Sequence, residues 1–232
     1  IVNSFIPINL TFIGFLLPTN CLISSIIYRI MIIRGGNMVV SNNIQKNEYA
    51  NYINKDTKLA RDVKEGKLIK IKKGLYETNP NTPAYYLANF IYGPSYISFD
   101  FALSFYGLIP ERVEVVTCAT FNKNKKKTYN TPFGTLIYRD VPERVFSLYV
   151  DLIEENGYTF HLATKEKALC DKLYILSPVK NIEQIKNLLL YDLRIDKEEL
   201  EKLNMDIIKR LSEVYHSTNV SYLYKFLRRI NE

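Results

Sequence analysis

The stretch "GKLIKIKKG", residues 66–74, sets Lys67, Lys70, Lys72 and Lys73 among the aliphatics Leu68, Ile69 and Ile71. Just upstream, Lys58, Arg61 and Lys64 recur every three residues, a spacing that puts them along one side of a helix. The plainest reading of such a run is a solvated surface. Cations gathered on a short helix and on the hairpin beside it also suit the binding of phosphates along a nucleic acid. Each lysine would act as a point charge that adds affinity and carries little sequence information. Arg61 differs, because its guanidinium fork can pair bidentately with the edge of a guanine. Lys58, Arg61, Lys64, Lys67, Lys70, Lys72 and Lys73 are therefore the expected DNA-binding residues.

Other chemistry is not indicated. The chain has no phosphate-loop motif, no glycine-rich dinucleotide turn, no HExxH and no GxSxG. Cys21, Cys118 and Cys170 are widely spaced and odd in number, so neither a disulfide framework nor a zinc site is expected. The only imidazoles are His161, in a strand-like run and read as a packed or edge residue, and His216, near a helix end where it could satisfy terminal carbonyls. No catalytic residue, metal or cofactor is expected, and the chain does not read as an enzyme. A second basic run, "KNKKK" at residues 123–127, reads as a solvated hairpin tip.

The elements that must position the cations follow from the local pattern. "IQKNEYANYI" offers a short amphipathic helix through Ile44, Tyr49, Tyr52 and Ile53. Asp56 or Thr57 can cap a second helix, with Leu59, Ala60 and Val63 on its apolar face and Gly66 as its stop. "KLIKI" and "LYE" then read as two strands joined at Gly74. Helix, turn, helix, hairpin is a winged helix-turn-helix pattern. It is assigned to residues 38–80, and the Pro-containing "TNPNTP" marks its end.

Residues 1–33 are apolar and interrupted by Pro7, Asn9, Pro18 and Asn20, and Arg29 and Arg34 come after most of the apolar run. That order fits a cleaved signal poorly and would suit a signal-anchor better. A third reading is a translated leader. "RGGN" before Met38 can be encoded by AGA-GGA-GGT-AAT, which contains a bacterial ribosome-binding sequence. The expectation is a start at Met38, a non-native extension before it, and a cytoplasmic protein without a membrane span.

Residues 81–232 are richer in aromatics and mix strands with helices. "AYYLANFIYG" and "FDFALSFYG", the latter capped by Ser98, read as helices; "VEVVTCAT", "GTLIYRD", "VFSLYVDLI" and "YTFHLAT" read as strands. Thr164 opens a helix with Ala168, Leu169, Leu173 and Leu176 on one face; Lys165, Glu166, Lys167 and Asp171 then read as an exposed interaction face or, equally, as ordinary surface pairs three or four residues apart. Tyr96, Phe99, Phe101, Leu103, Phe105 and Tyr106 read as packing residues. Three further helices follow, the middle one broken near Asn204. The fold class is α+β: a small N-terminal winged helix-turn-helix, then a mixed α/β domain ending in a helical bundle. A hydrophobic content of 47% is enough for such a core, and the net charge of +7 favours an anionic partner.

The segments "LARDVKEGKLIKIKKGLYE", "YYLANFIYGPSYISFDFALSFYGLIPERVEVVTCAT", "FGTLIYRDVPERVF" and "GYTFHLATKEKALCDKLY" together resemble the AbiEi family of abortive-infection antitoxins. The resemblance spans roughly residues 55–230, and its strongest motifs are "GPSYISFDFALSFYGLIPE" and "ATKEKALCDKLY". It implies the antitoxin of a bicistronic type IV toxin–antitoxin system used in phage defence. In that family the winged helix binds inverted repeats in its own promoter and represses it, and the C-terminal domain counters a nucleotidyltransferase-like toxin. The present chain lacks the signature of such a transferase, so it resembles the antitoxin and not the toxin. Its departure is a shortened N-terminal module, which bears on promoter binding more than on antitoxicity. The alternative is an antitoxicity or protein-interaction factor whose degenerate winged helix binds no DNA.

Overall fold

The computed structural model describes residues 39–41 and 54–231. The expected leader, Cys21 and the helix through Ile44–Ile53 lie outside the described residues.

A three-stranded antiparallel sheet comes first, in the order β1-β3-β2, from β1 (Val39–Ser41), β2 (Ile69–Lys72) and β3 (Leu75–Glu77). Between β1 and β2 lies α1 (Lys55–Lys64). Its N-cap is Asn54, whose side chain accepts from the amide of Thr57 at 3.1 Å; Asp56 and Thr57 themselves fall inside the first turn. After Lys64 the chain turns through Gly66, at φ +73°, where a side chain would be strained. Gly74 plays the same part in the β2–β3 turn at φ +80°. Ala60, expected on the apolar face of α1, is exposed, and Asp62 is buried instead.

A six-stranded mixed sheet follows, in the order β6-β7-β5-β4-β9-β8. Its strands are β4 (Tyr96–Ile97), β5 (Val116–Thr120), β6 (Lys127–Thr131), β7 (Gly134–Asp140), β8 (Val150–Glu155) and β9 (Tyr158–Ala163). The pairs β5/β7 and β4/β9 are parallel and the others antiparallel. Helices interleave with it: a 3-10 turn (Ala84–Leu87) running into α2 (Ala88–Ile91), then α3 (Phe99–Phe105), α4 (Glu143–Phe146) and α5 (Lys165–Tyr174). The C-terminal helices are α6 (Ile182–Asn187), continued by a π-helical turn (Leu188–Asp192), then α7 (Lys197–Glu201), α8 (Met205–Tyr215) and α9 (Thr218–Asn231). The break expected near Asn204 is present, and Asn204 caps α8 with its side chain. Thr164 likewise caps α5, accepting from the amide of Lys167.

The core is rich in tyrosine, which is tolerated because the phenols of Tyr86, Tyr96, Tyr138, Tyr158 and Tyr215 find partners. Tyr138 donates to the carbonyl of Ala88 at 2.8 Å, and Tyr86 accepts from Asn156 at 2.9 Å. Around them Leu87, Ile91, Leu103, Leu136 and Phe160 are fully buried. Each contributes about 1.5–3 kcal/mol relative to an exposed position. Tyr96, Phe99 and Leu103 pack inside as expected, whereas Phe105 is 43% exposed. Ile71 and Leu75 of the small sheet join the same core cluster. The chain crosses the expected boundary near residue 80 through a tight turn, and just beyond it Thr82 hydrogen-bonds Tyr158 at 3.0 Å.

Candidate nucleic-acid interface

The local pattern of β2 decides where its lysines point. Leu68 and Ile71 are buried, Lys70 is exposed, and a register irregularity falls between Lys70 and Lys72. Strand alternation alone would send Lys70 and Lys72 out on the same face. Lys72 is instead half-buried, and its ammonium donates to the carbonyl of Ile91 at the end of α2. Burial pulls its pKa below the ordinary lysine value. Lys72 thus pins the hairpin to the second sheet's helices.

The other expected cations divide cleanly. Lys58 pairs with Asp62 one helical turn on, within α1. Lys67 pairs with Glu65 at 2.7 Å, and that hydrogen bond and charge raise its pKa above the ordinary value. Arg61, Lys64, Lys70 and Lys73 are exposed and form no ion pair with any described residue. Helix and hairpin are joined tightly, since the amides of Lys67 and Leu68 both donate to the carbonyl of Asp62, at 2.9 and 3.2 Å. The free set of Arg61, Lys64, Lys70 and Lys73 therefore sits on one compact helix–strand unit.

A second polar constellation lies deep in the protein. Lys167 Nζ donates to Asp171 Oδ1 at 2.7 Å and to the Tyr215 hydroxyl at 2.6 Å. Asp171 Oδ2 accepts from Tyr96 at 2.9 Å and from Ser98 at 2.6 Å, and Tyr215 donates to Oδ1. The ammonium also lies 5.3 and 4.8 Å from the ring centroids of Tyr96 and Tyr215. Both charged side chains are 0% exposed. Burial, and then the Asp171 charge, hold the Tyr96 and Tyr215 phenols well above their ordinary pKa. Every acceptor is filled from within, so the cluster is a structural joint between α5, α8, β4 and the start of α3.

This joint overturns the expected exposed face on α5. Glu166, Lys167 and Asp171 are all buried, with Glu166 accepting from the amide of Asn204 at 3.0 Å. The signal was present in the sequence: Ala168, Leu169, Cys170 and Leu173 cover too much of the circumference for a one-sided helix. Ser98 is corrected too, since its hydroxyl serves Asp171 and makes no cap bond to α3. The carbonyls at the end of α8, assigned to His216, are bound by Arg144 from α4, at 2.6 Å to Val214 and 3.0 Å to Tyr215. Asn219, not singled out from sequence, ties the loop after α5 together by donating to the carbonyl of Leu173 at 2.8 Å and accepting from the amide of Val179 at 2.7 Å.

His161 lies on β9, inside the sheet and not at its edge, and burial lowers its pKa. Cys118 and Cys170 are buried free thiols, pushed up by desolvation and so far from a reactive thiolate. Among the described residues no group of His, Cys, Asp and Glu is clustered for a metal ion, and no helix is long and apolar enough to cross a membrane. Comparison of the chain with family models and with curated proteins finds no match to either.

Proposed function

We propose that this chain is a cytoplasmic antitoxin of the AbiEi type that represses its own promoter through a winged helix and counters a nucleotidyltransferase-like toxin. The observation that carries the DNA-binding half is the unpaired set Arg61, Lys64, Lys70 and Lys73 on adjoining α1 and β2–β3. The third strand β1, closing the small sheet beside the hairpin, supports the winged-helix reading. In this reading α1 enters the major groove, Arg61 reads a base edge and the hairpin lysines grip the backbone. The antitoxin half rests on the resemblance of the segments around residues 93–111 and 163–174 to that family.

One observation favours the alternative of a factor that binds no DNA. Lys58, Lys67 and Lys72 are partnered inside the chain, which leaves fewer cations for phosphate than the sequence offers. Two experiments separate the readings. Co-expression with the product of the adjacent downstream gene should rescue growth if the antitoxin assignment holds, and a neighbour unlike a transferase would sink it. Retardation of the upstream promoter fragment by the full chain supports repression, and rescue without retardation would favour the alternative.

A further inference from the structure

The basic run at residues 123–127 is not a hairpin tip. It lies between β5 and β6, which are separated in the sheet by β7, so it crosses over the end of β7. The crossover is built, not loose. Asp140, the last residue of β7, accepts from the amides of Lys123 and Asn124, both at 2.6 Å, and from the Thr120 hydroxyl at 2.5 Å. Asn122 and Asn124 hold positive φ, at 52° and 54°, and Asn122 donates to Glu143 at 2.9 Å. Asparagine enters this left-handed region readily, and the Asp140 and Glu143 contacts hold it there. The Asp140 carboxylate is thus occupied by amides and leaves the lysine ammonium groups to other anions.

The run and the hairpin are linked through one short stretch of chain, Ile91–Tyr92. Lys123 and Lys127 lie 5.4 and 5.9 Å from the centroid of the Tyr92 ring, and Lys127 lies 5.6 Å from that of Tyr129. Tyr92 follows directly on Ile91, whose carbonyl is held by Lys72. The hairpin and the basic run therefore contact consecutive residues, Lys72 the backbone of Ile91 and Lys123 and Lys127 the ring of Tyr92. Lys125 and Lys126 are exposed beyond it, as Lys70 and Lys73 are on the hairpin. Like charges gathered from two separate parts of a fold repel one another unless an external polyanion neutralises them.

We infer that residues 121–127 form a second phosphate-binding arm that grips the same duplex as the β2–β3 hairpin, extending the interface onto the six-stranded sheet. The inference rests on the DNA-binding reading above and adds a partner surface that the N-terminal module alone does not supply. The aromatic contacts and the Asp140 clamp pre-set the arm, so little ordering is lost on binding.

The test compares the full chain, Lys125→Ala/Lys126→Ala and Lys70→Ala/Lys73→Ala on the upstream promoter duplex and on a random duplex of equal length. Dissociation constants are measured between about 50 and 200 mM salt. The arm variant should weaken binding to both duplexes at least about tenfold near 100 mM salt and make the salt slope shallower by roughly 1–2. Both lysines are exposed, so folding is expected to be unchanged and is checked by the thermal midpoint. An unaltered slope in the arm variant overturns the arm, whatever the hairpin variant does. A hairpin variant that binds like the parent, beside a weakened arm variant, overturns the shared interface, since it leaves the arm binding DNA without the hairpin. Absence of salt-dependent binding by the parent chain overturns both.

Discussion

Lys58–Asp62 in α1 and Lys167–Asp171 in α5 are the same residue pair at the same helical spacing, placed in opposite surroundings. In α1 the lysine side chain is 22% exposed and its aspartate 4%, beside a surface that carries Arg61 and Lys64 outward. In α5 both are 0% exposed, and two phenols and a serine complete their shell. The first pair keeps contact with water only through its lysine, so its attraction is partly screened. The second has lost its hydration, so its attraction must be matched by hydrogen bonds on every side. One motif thus serves a cationic surface in one region and locks four elements together in another.

Breaking each pair should separate the two roles. Lys167→Met leaves the Asp171 charge buried and unmatched, and is expected to cost about 3–5 kcal/mol of unfolding free energy by urea titration. Lys167→Met/Asp171→Leu should recover much of that loss; a double variant as unstable as the single would contradict the buried-pair account. Lys58→Ala takes the ammonium from a nearly buried carboxylate and should cost about 1–3 kcal/mol, less than Lys167→Met. Lys72→Met removes the hydrogen bond to Ile91 but keeps the aliphatic stem. It should cost about 1–2 kcal/mol and weaken DNA binding less than Lys70→Ala, which would identify it as a pin and not a phosphate contact.

The smallest effect expected is one of pH. Burial lowers the pKa of His161 below its ordinary 6.5, so the unfolded chain takes up the proton first. The contribution of this group is complete above about pH 6.5 and is lost as pH falls through the lower folded value. Urea midpoints at pH 7.5 and 5.5 should differ less in His161→Gln than in the parent.

The helix–hairpin unit was legible because local rules decide it: Gly66 and Gly74 need positive φ, and Ile71 and Leu75 mark the buried face. Thr164 and the break at Asn204 were legible for the same reason. The mixed α+β class followed from the strand and helix patterns, but the sheet order did not, since parallel pairing of β5 with β7 and β4 with β9 joins distant segments. Strand β6 was hidden because "KTYNT" lies at a sheet edge and has no apolar alternation. For the site, the exposed cations were legible from charge. Capture of Lys72 by a carbonyl nineteen residues away was not, nor was burial of Lys167, since each depends on a partner brought by tertiary packing.

In the proposed function Arg61, Lys64, Lys70 and Lys73 grip DNA as one unit. The most direct test of that grip is equilibrium binding of the full chain to its upstream promoter duplex across a salt series. The account predicts that log K falls linearly with log salt, with a slope of at least roughly −3.5 per protomer, and that Lys70→Ala/Lys73→Ala makes it shallower by about 2. A slope near zero, or one that the double substitution leaves unchanged, would contradict it.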